Sequence, residues 1–137
     1  MKKYAIYILL LVVIASLLFV FPACGGKAGL GEEFSISIGQ TVTITGEGLE
    51  ITFVEVSGDN RCARDVVCIT AGEVVCLMKI GEGESSYNIK LAQPGLYYDY
   101  SQELFVDYKY TFKVEPYPES DKVISTDEYR LLLTVSK

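Results

Sequence analysis

From Phe34 to the end of the chain, apolar and polar residues alternate in short runs with a period of two. This period is typical of a β-strand with one face buried and the other in solvent. The longest run, residues 106–115, sets five apolar residues against five polar ones. The sequence therefore predicts an all-β domain. Its seven candidate strands cover residues 34–38, 42–44, 49–53, 74–80, 87–91, 106–114 and 129–135.

The arrangement of these strands follows from their hydrophobicity and number. Residues 74–80 are apolar on both faces, which is typical of a strand in the middle of a domain. No segment of helical period follows residue 33, and turns rich in Gly, Pro, Asp and Ser separate the runs. We expect residues 34–137 to form an antiparallel two-sheet sandwich of immunoglobulin-like size. A small closed β-barrel is the alternative.

The N-terminal segment has a different pattern. Two lysines precede an apolar run of 17 residues that ends at Phe21, and a small residue then precedes Cys24. These are the parts of a secretory signal, here with a cysteine placed as in the processing site of bacterial lipoproteins, although Leu usually stands where Phe21 does. We predict a lipoprotein-type signal peptide over residues 1–23, lipidation of Cys24, and a glycine-rich flexible tether over residues 24–33.

An uncleaved signal anchor and plain secretion are the alternatives to lipidation. All three place the domain outside the cytoplasm, and lipidation anchors it to a membrane of the bacterial cell envelope. Removal of residues 1–23 leaves 10 basic and 18 acidic residues, a net charge of −8. Such a surface repels phosphate backbones, so we expect no nucleic acid partner.

Three cysteines follow Cys24. Cys62 and Cys68 lie in a polar loop between two strong strands. Because an exported protein meets oxidising conditions, we predict a disulfide between them, worth roughly 2 kcal/mol by the chain-entropy model. Cys76 alternates with apolar residues and is predicted to be a buried free thiol. A three-cysteine metal site is the minor alternative, and no metal is expected because the sequence has no histidine.

Two features are weak candidates for ligand binding. Arg61, beside the first loop cysteine, either pins the loop through a carboxylate or loop carbonyls, or faces an acidic ligand. The tyrosines Tyr97, Tyr98 and Tyr100 either form a binding surface or cap the core. Without histidine, and without a nucleophile elbow, phosphate loop or zinc-protease helix, the sequence predicts neither an enzyme nor a cofactor.

The cysteine loop resembles a family of small bacterial lipoproteins of uncharacterised function. Their signature is Asp-Ser-Arg-Cys-Pro, four residues, Cys, any residue, Trp-Ala-Gly. The residues that carry the resemblance are Asp59-Asn60-Arg61-Cys62, Cys68 and Ala71-Gly72, and the similarity extends over most of the mature domain. Asn60 replaces the usual Ser, Ala63 the Pro and Thr70 the Trp. The resemblance implies a lipid anchor, the disulfide and a β-domain, but no activity.

These observations favour a non-catalytic envelope lipoprotein, a binding or structural module with a protein or glycan partner. One alternative is an inhibitor or stress-protective factor that acts through the loop at residues 58–67. The other is an enzyme that uses carboxylates alone.

Overall fold

The structure, a computed structural model, describes residues 25–96 and 99–137. Nine strands and one 3₁₀ helix, Thr126–Glu128, are found in these residues. The strands are β1 (Gly26–Ala28), β2 (Glu33–Ser37), β3 (Thr41–Ile44), β4 (Leu49–Asp59), β5 (Glu73–Glu82), β6 (Ser85–Pro94), β7 (Ser101–Phe105), β8 (Tyr108–Glu115) and β9 (Arg130–Ser136). Each of the seven candidate strands of the sequence analysis overlaps one of them.

The strands form two sheets that face one another. The first has the order β1-β3-β4-β5-β6 and the second the order β2-β9-β8-β7. Every neighbouring pair is antiparallel except β1 and β3, which run parallel. The predicted all-β two-sheet sandwich is confirmed, and across the described residues the sheets do not close into the alternative barrel.

The core lies between the sheets and is built from the apolar positions of the alternation. Phe53 of the first sheet and Tyr110 and Phe112 of the second are the largest side chains that are fully buried in it. Gln93 is also buried, and its side-chain oxygen accepts a hydrogen bond from the Val114 N–H at 2.9 Å. This bond joins the two sheets, because Gln93 lies in β6 and Val114 in β8.

Two strands were not expected from the sequence. Residues 24–33, predicted to be a flexible tether, instead supply β1 and the first residue of β2, and Ala28 of β1 is buried. β1 has only three residues, one of them glycine, and therefore shows no alternation of apolar and polar residues. Its pairing with β3 could not be predicted from the sequence. The other unexpected strand is β7, which lies at a sheet edge and has its three central residues exposed. Because no face of β7 is buried, its sequence lacks the apolar alternation that would predict a strand.

The sandwich has two ends that differ in their loops. One end, called the loop end below, carries residues 60–72 between β4 and β5 and residues 116–129 between β8 and β9. The opposite end carries the short turns that precede β4, β6 and β8. Among the described residues, no helix is of a length and hydrophobicity that would let it cross a bilayer.

Val106 lies in the two-residue turn between β7 and β8, although the alternation predicts it to start the following strand. Its φ is +54°, a region that β-branched residues rarely adopt, and its side chain is 63 % exposed. We expect Val106→Gly to raise the free energy of unfolding by about 1 kcal/mol, because left-handed backbone costs an L-residue roughly 1–2 kcal/mol and little packing is lost. Urea unfolding measures this change.

The matched control is Val123→Gly. Val123 is 91 % exposed and its φ is not positive, so glycine there removes no strain and should not stabilise the protein. If the two variants unfold at the same urea concentration, the turn at Val106 stores no strain.

Candidate functional site

The connection between β4 and β5, residues 60–72, is closed at its neck and is called the stapled loop below. The Asn60 N–H donates to the Glu73 carbonyl at 2.9 Å, and the Asn60 side-chain oxygen accepts from the Glu73 N–H at 2.7 Å. The Cys62 N–H donates to the Ala71 carbonyl at 2.9 Å. A disulfide joins Cys62 to Cys68, with their α-carbons 5.9 Å apart, which confirms the predicted bridge.

Arg61 ties the neck of the stapled loop to the second sheet. Its guanidinium donates through Nη1 to the Val114 carbonyl and through Nη2 to the Pro116 carbonyl, both at 3.0 Å. The side chain has 0 % exposure. Arg61 therefore presents no guanidinium surface to a ligand in this structure, and its geometry is that of a loop-pinning arginine.

The charge of Arg61 is met by Asp59. The Nε–H donates to Oδ1 at 2.8 Å and Nη2 to Oδ2 at 2.6 Å, a two-pronged contact that fits the planar guanidinium to the carboxylate. The Tyr129 hydroxyl adds a second donor to Oδ2, at 3.1 Å. Burial, with the nearby Asp59 charge, raises the pKa of Tyr129 to about 12, so this hydroxyl keeps its proton.

Tyr117 covers the guanidinium from outside. The Arg61 Cζ lies 4.8 Å from the centre of the Tyr117 ring, within the range of a cation–π contact. The Tyr117 hydroxyl accepts a hydrogen bond from the Leu96 N–H at 2.8 Å. The loop that follows β6 is thereby joined to the arginine cluster, which consists of Asp59, Arg61, Tyr117 and Tyr129.

Gly72 allows the two arms of the stapled loop to approach closely. A Cβ at this position would lie 1.9 Å from the Asn60 carbonyl oxygen, and the φ of Gly72 is +66°. Gly95 makes a similar approach, since its Cβ would lie 1.8 Å from the Ala71 oxygen. Both contacts require glycine, because any side chain would push the neck apart.

The far side of the stapled loop exposes apolar side chains, which we call the apolar tip and define as Val66, Val67 and Ile69. Val67 is 101 % and Ile69 105 % exposed, and Val66 is 44 % exposed. All seven residues from Val66 to Gly72 are uncharged. The disulfide and the arginine cluster hold the base of the loop, so the tip is presented on a fixed support.

A groove of about 550 Å³ runs beside the stapled loop and is lined by Arg64, Lys113, Glu115, Pro116 and Tyr117. Its charges are already paired. Lys113 lies 2.9 Å from Glu115, and Arg64 lies 3.6 Å from Glu119. The described residues contain no group of three or more side chains suited to hold a metal ion.

The remaining candidates do not form a cleft with Arg61. Tyr97 and Tyr98 lie outside the described residues. Tyr100 is half-buried, and the nearby Glu33 carboxylate raises its pKa to about 12. Cys76 is buried and, within the described part of the chain, is the free cysteine; burial raises the pKa of its thiol to about 12. Cys24, the predicted lipidation site, also lies outside the described residues.

The sequence assigned no role in the site to Tyr117 or Ile69, named Gly72 only within the family signature, and named Val66 and Val67 only within the loop at residues 58–67. The run Val66-Val67 and the Ala71-Gly72 pair were readable signals, but their exposure and close approach are properties of the folded loop. Comparison with protein families, characterised proteins and solved structures gives no match to this chain.

Proposed function

We propose that the protein is a non-catalytic lipoprotein of the bacterial cell envelope, anchored through Cys24, that acts by contact through the apolar tip. The anchor rests on the N-terminal sequence pattern. The observation that carries the contact function is the complete exposure of Val67 and Ile69 on a loop whose base is pinned. A rigid support lowers the entropy lost on binding, and so favours recognition by a preformed surface.

The proposal that the protein is non-catalytic is supported by the ion pairs and hydrogen bonds of three of its carboxyl groups. The buried carboxylate of Asp59 is neutralised by Arg61, and hydrogen bonds from Ser120 and from Ser125 lower the pKa of Asp65 and Glu128, respectively. Carboxyl groups whose pKa is lowered, as at Asp65 and Glu128, are poor general acids. Turnover of glycan or ester substrates above blank by the purified protein would contradict this part.

Photocrosslinking in living cells tests the contact function. A benzophenone side chain at position 67 should form adducts with envelope components, whereas the same group at position 104 should not. Leu104 is a matched control, because it is 76 % exposed but lies at the opposite end of the sandwich. The identity of the adducts, whether protein, glycan or lipid, names the partner. Equal yields at both positions would contradict contact through the tip.

The second candidate function is inhibition of an envelope enzyme by the stapled loop. This candidate is favoured because the loop is closed twice, by the disulfide and by the hydrogen bonds at its neck. A loop held in this way can fill an active site without changing its own conformation. The sequence predicts the inhibitory element at residues 58–67, but Gly58 and Asp59 belong to β4, and the unbroken exposed stretch of the loop begins at Arg64. A panel of envelope proteases and lysozymes unaffected by the protein would remove this candidate.

A further inference from the structure

Among the described residues, the apolar tip shares the loop end with two other exposed aliphatic side chains, those of Leu96 and Val123. The stapled loop is tied to residues 116–129 by the Arg64 N–H, which donates to the Pro118 carbonyl at 3.1 Å, and by Asp65, which accepts from Ser120. The second loop exposes Val123, 91 % accessible. Single exposed aliphatic residues are ordinary on protein surfaces. Val67 and Ile69 differ because both are fully exposed and both lie in the same uncharged stretch, next to the pinned base of the stapled loop.

The direction of β1 sets where the membrane anchor leaves the domain. β4 runs toward the stapled loop, β3 is antiparallel to β4, and β1 is parallel to β3. β1 therefore runs away from the loop end, and its first residue, Gly26, lies level with Ile51, two residues from the start of β4. Cys24 is two residues before β1, and two extended residues reach at most about 7 Å. An anchor at Cys24, or an uncleaved anchor ending there, leaves the domain no room to stand away from the bilayer.

The register gives the separation between the anchor and the stapled loop. Gly26 pairs with Val42, which pairs with Ile51, which pairs with Ile80. The stapled loop begins beyond Asp59, which pairs with Val74. Val74 and Ile80 are six residue steps apart in β5, which corresponds to about 20 Å along the strand direction. A domain inclined on the bilayer can thus touch it at both places.

We propose that the apolar tip inserts into the surface of the bilayer that holds the anchor, so that the domain is attached at two points and lies along the membrane. This inference rests on the proposed anchoring and names the partner of the tip as lipid. Because the anchor keeps the tip near the bilayer at high effective concentration, a small apolar contact is sufficient. The net charge of residues 24–137, 10 − 18 = −8, repels anionic headgroups, so insertion depends on apolar contact and not on anionic lipid.

Tryptophan fluorescence of the anchored full chain in phosphatidylcholine vesicles tests the proposal. The sequence has no tryptophan, so Val67→Trp and Ile69→Trp each create a single reporter. We expect the emission of both to shift to shorter wavelength on reconstitution and to be quenched by lipids brominated in their acyl chains. Leu104→Trp, at the opposite end, should show neither change. Adding Val67→Asp to Ile69→Trp should reduce the shift, because a charge opposes insertion.

The proposal is overturned if tryptophan at positions 67 and 69 stays as accessible to iodide as tryptophan at position 104. A shift that needs added envelope proteins, and is absent with lipid alone, also overturns it and identifies a protein as the partner. In that case photocrosslinking at position 67 still yields protein adducts, so contact through the tip stands while insertion into lipid fails. Lipidation itself is read separately from the mass of the purified protein.

Discussion

Arg61→Met is expected to lower the free energy of unfolding by about 3–5 kcal/mol, because it leaves the buried Asp59 carboxylate without its cation. The Asp59 side chain is 6 % exposed, so water cannot replace the guanidinium. The carbonyls of Val114 and Pro116 lose their donors as well. Urea unfolding followed by circular dichroism measures the loss. Arg61→Lys should lie between the wild type and Arg61→Met, because lysine keeps the charge but not the planar fork.

The control for this prediction is Arg64→Met. Arg64 also lies over the Tyr117 ring, at 5.5 Å, and carries the same charge, but its side chain is 50 % exposed. A solvent-exposed ion pair contributes at most about 1 kcal/mol, so this change should have little effect. Equal losses for the two arginines would mean that Arg61 does not pin the loop.

Gly72→Ala is expected to destabilise the protein by about 3 kcal/mol through two effects that act together. The added Cβ would lie 1.9 Å from the Asn60 oxygen, so one arm of the stapled loop must move. The φ of +66° adds backbone strain for any residue with a Cβ. Because the arms are joined by hydrogen bonds on both sides of Gly72, the movement also weakens the neck. Thermal and urea unfolding both report the loss.

Gly58→Ala is the matched control, since Gly58 lies just before the same neck. Nothing lies within 4 Å of its Cβ position, and its φ is not in the left-handed region. Alanine should therefore change stability by no more than about 1 kcal/mol. If both alanine variants unfold alike, the close approach at Gly72 is not a requirement of the fold.

The alternation of apolar residues was enough to predict the sandwich because burial of one strand face is the dominant requirement of such a fold. It failed where a strand has no buried face, as in β7, or is too short to show a pattern, as in β1. The prediction that Val106 starts the strand β8 was wrong. Val106 continues the apolar alternation of β8, but it lies in the turn that precedes this strand.

The site was only partly predictable. Cys62 and Cys68 are close in sequence, so their disulfide followed from spacing and compartment. The sequence suggested that Arg61 could pin the loop, but its partners at Val114 and Pro116 are more than 50 residues away and depend on how the sheets pack. The exposure of the apolar tip was not predictable either, because a valine pair in a sequence is usually buried.

Intact-mass analysis of the protein extracted from the envelope tests the central claim, that an anchored domain presents a stapled loop. The account predicts a chain that begins at Cys24 with a diacylglyceryl group. In denaturant without reductant, alkylation should modify Cys76 alone, and after reduction it should also modify Cys62 and Cys68. A chain that retains residues 1–23, carries no lipid and has the thiols of Cys62 and Cys68 free without reduction would contradict the account.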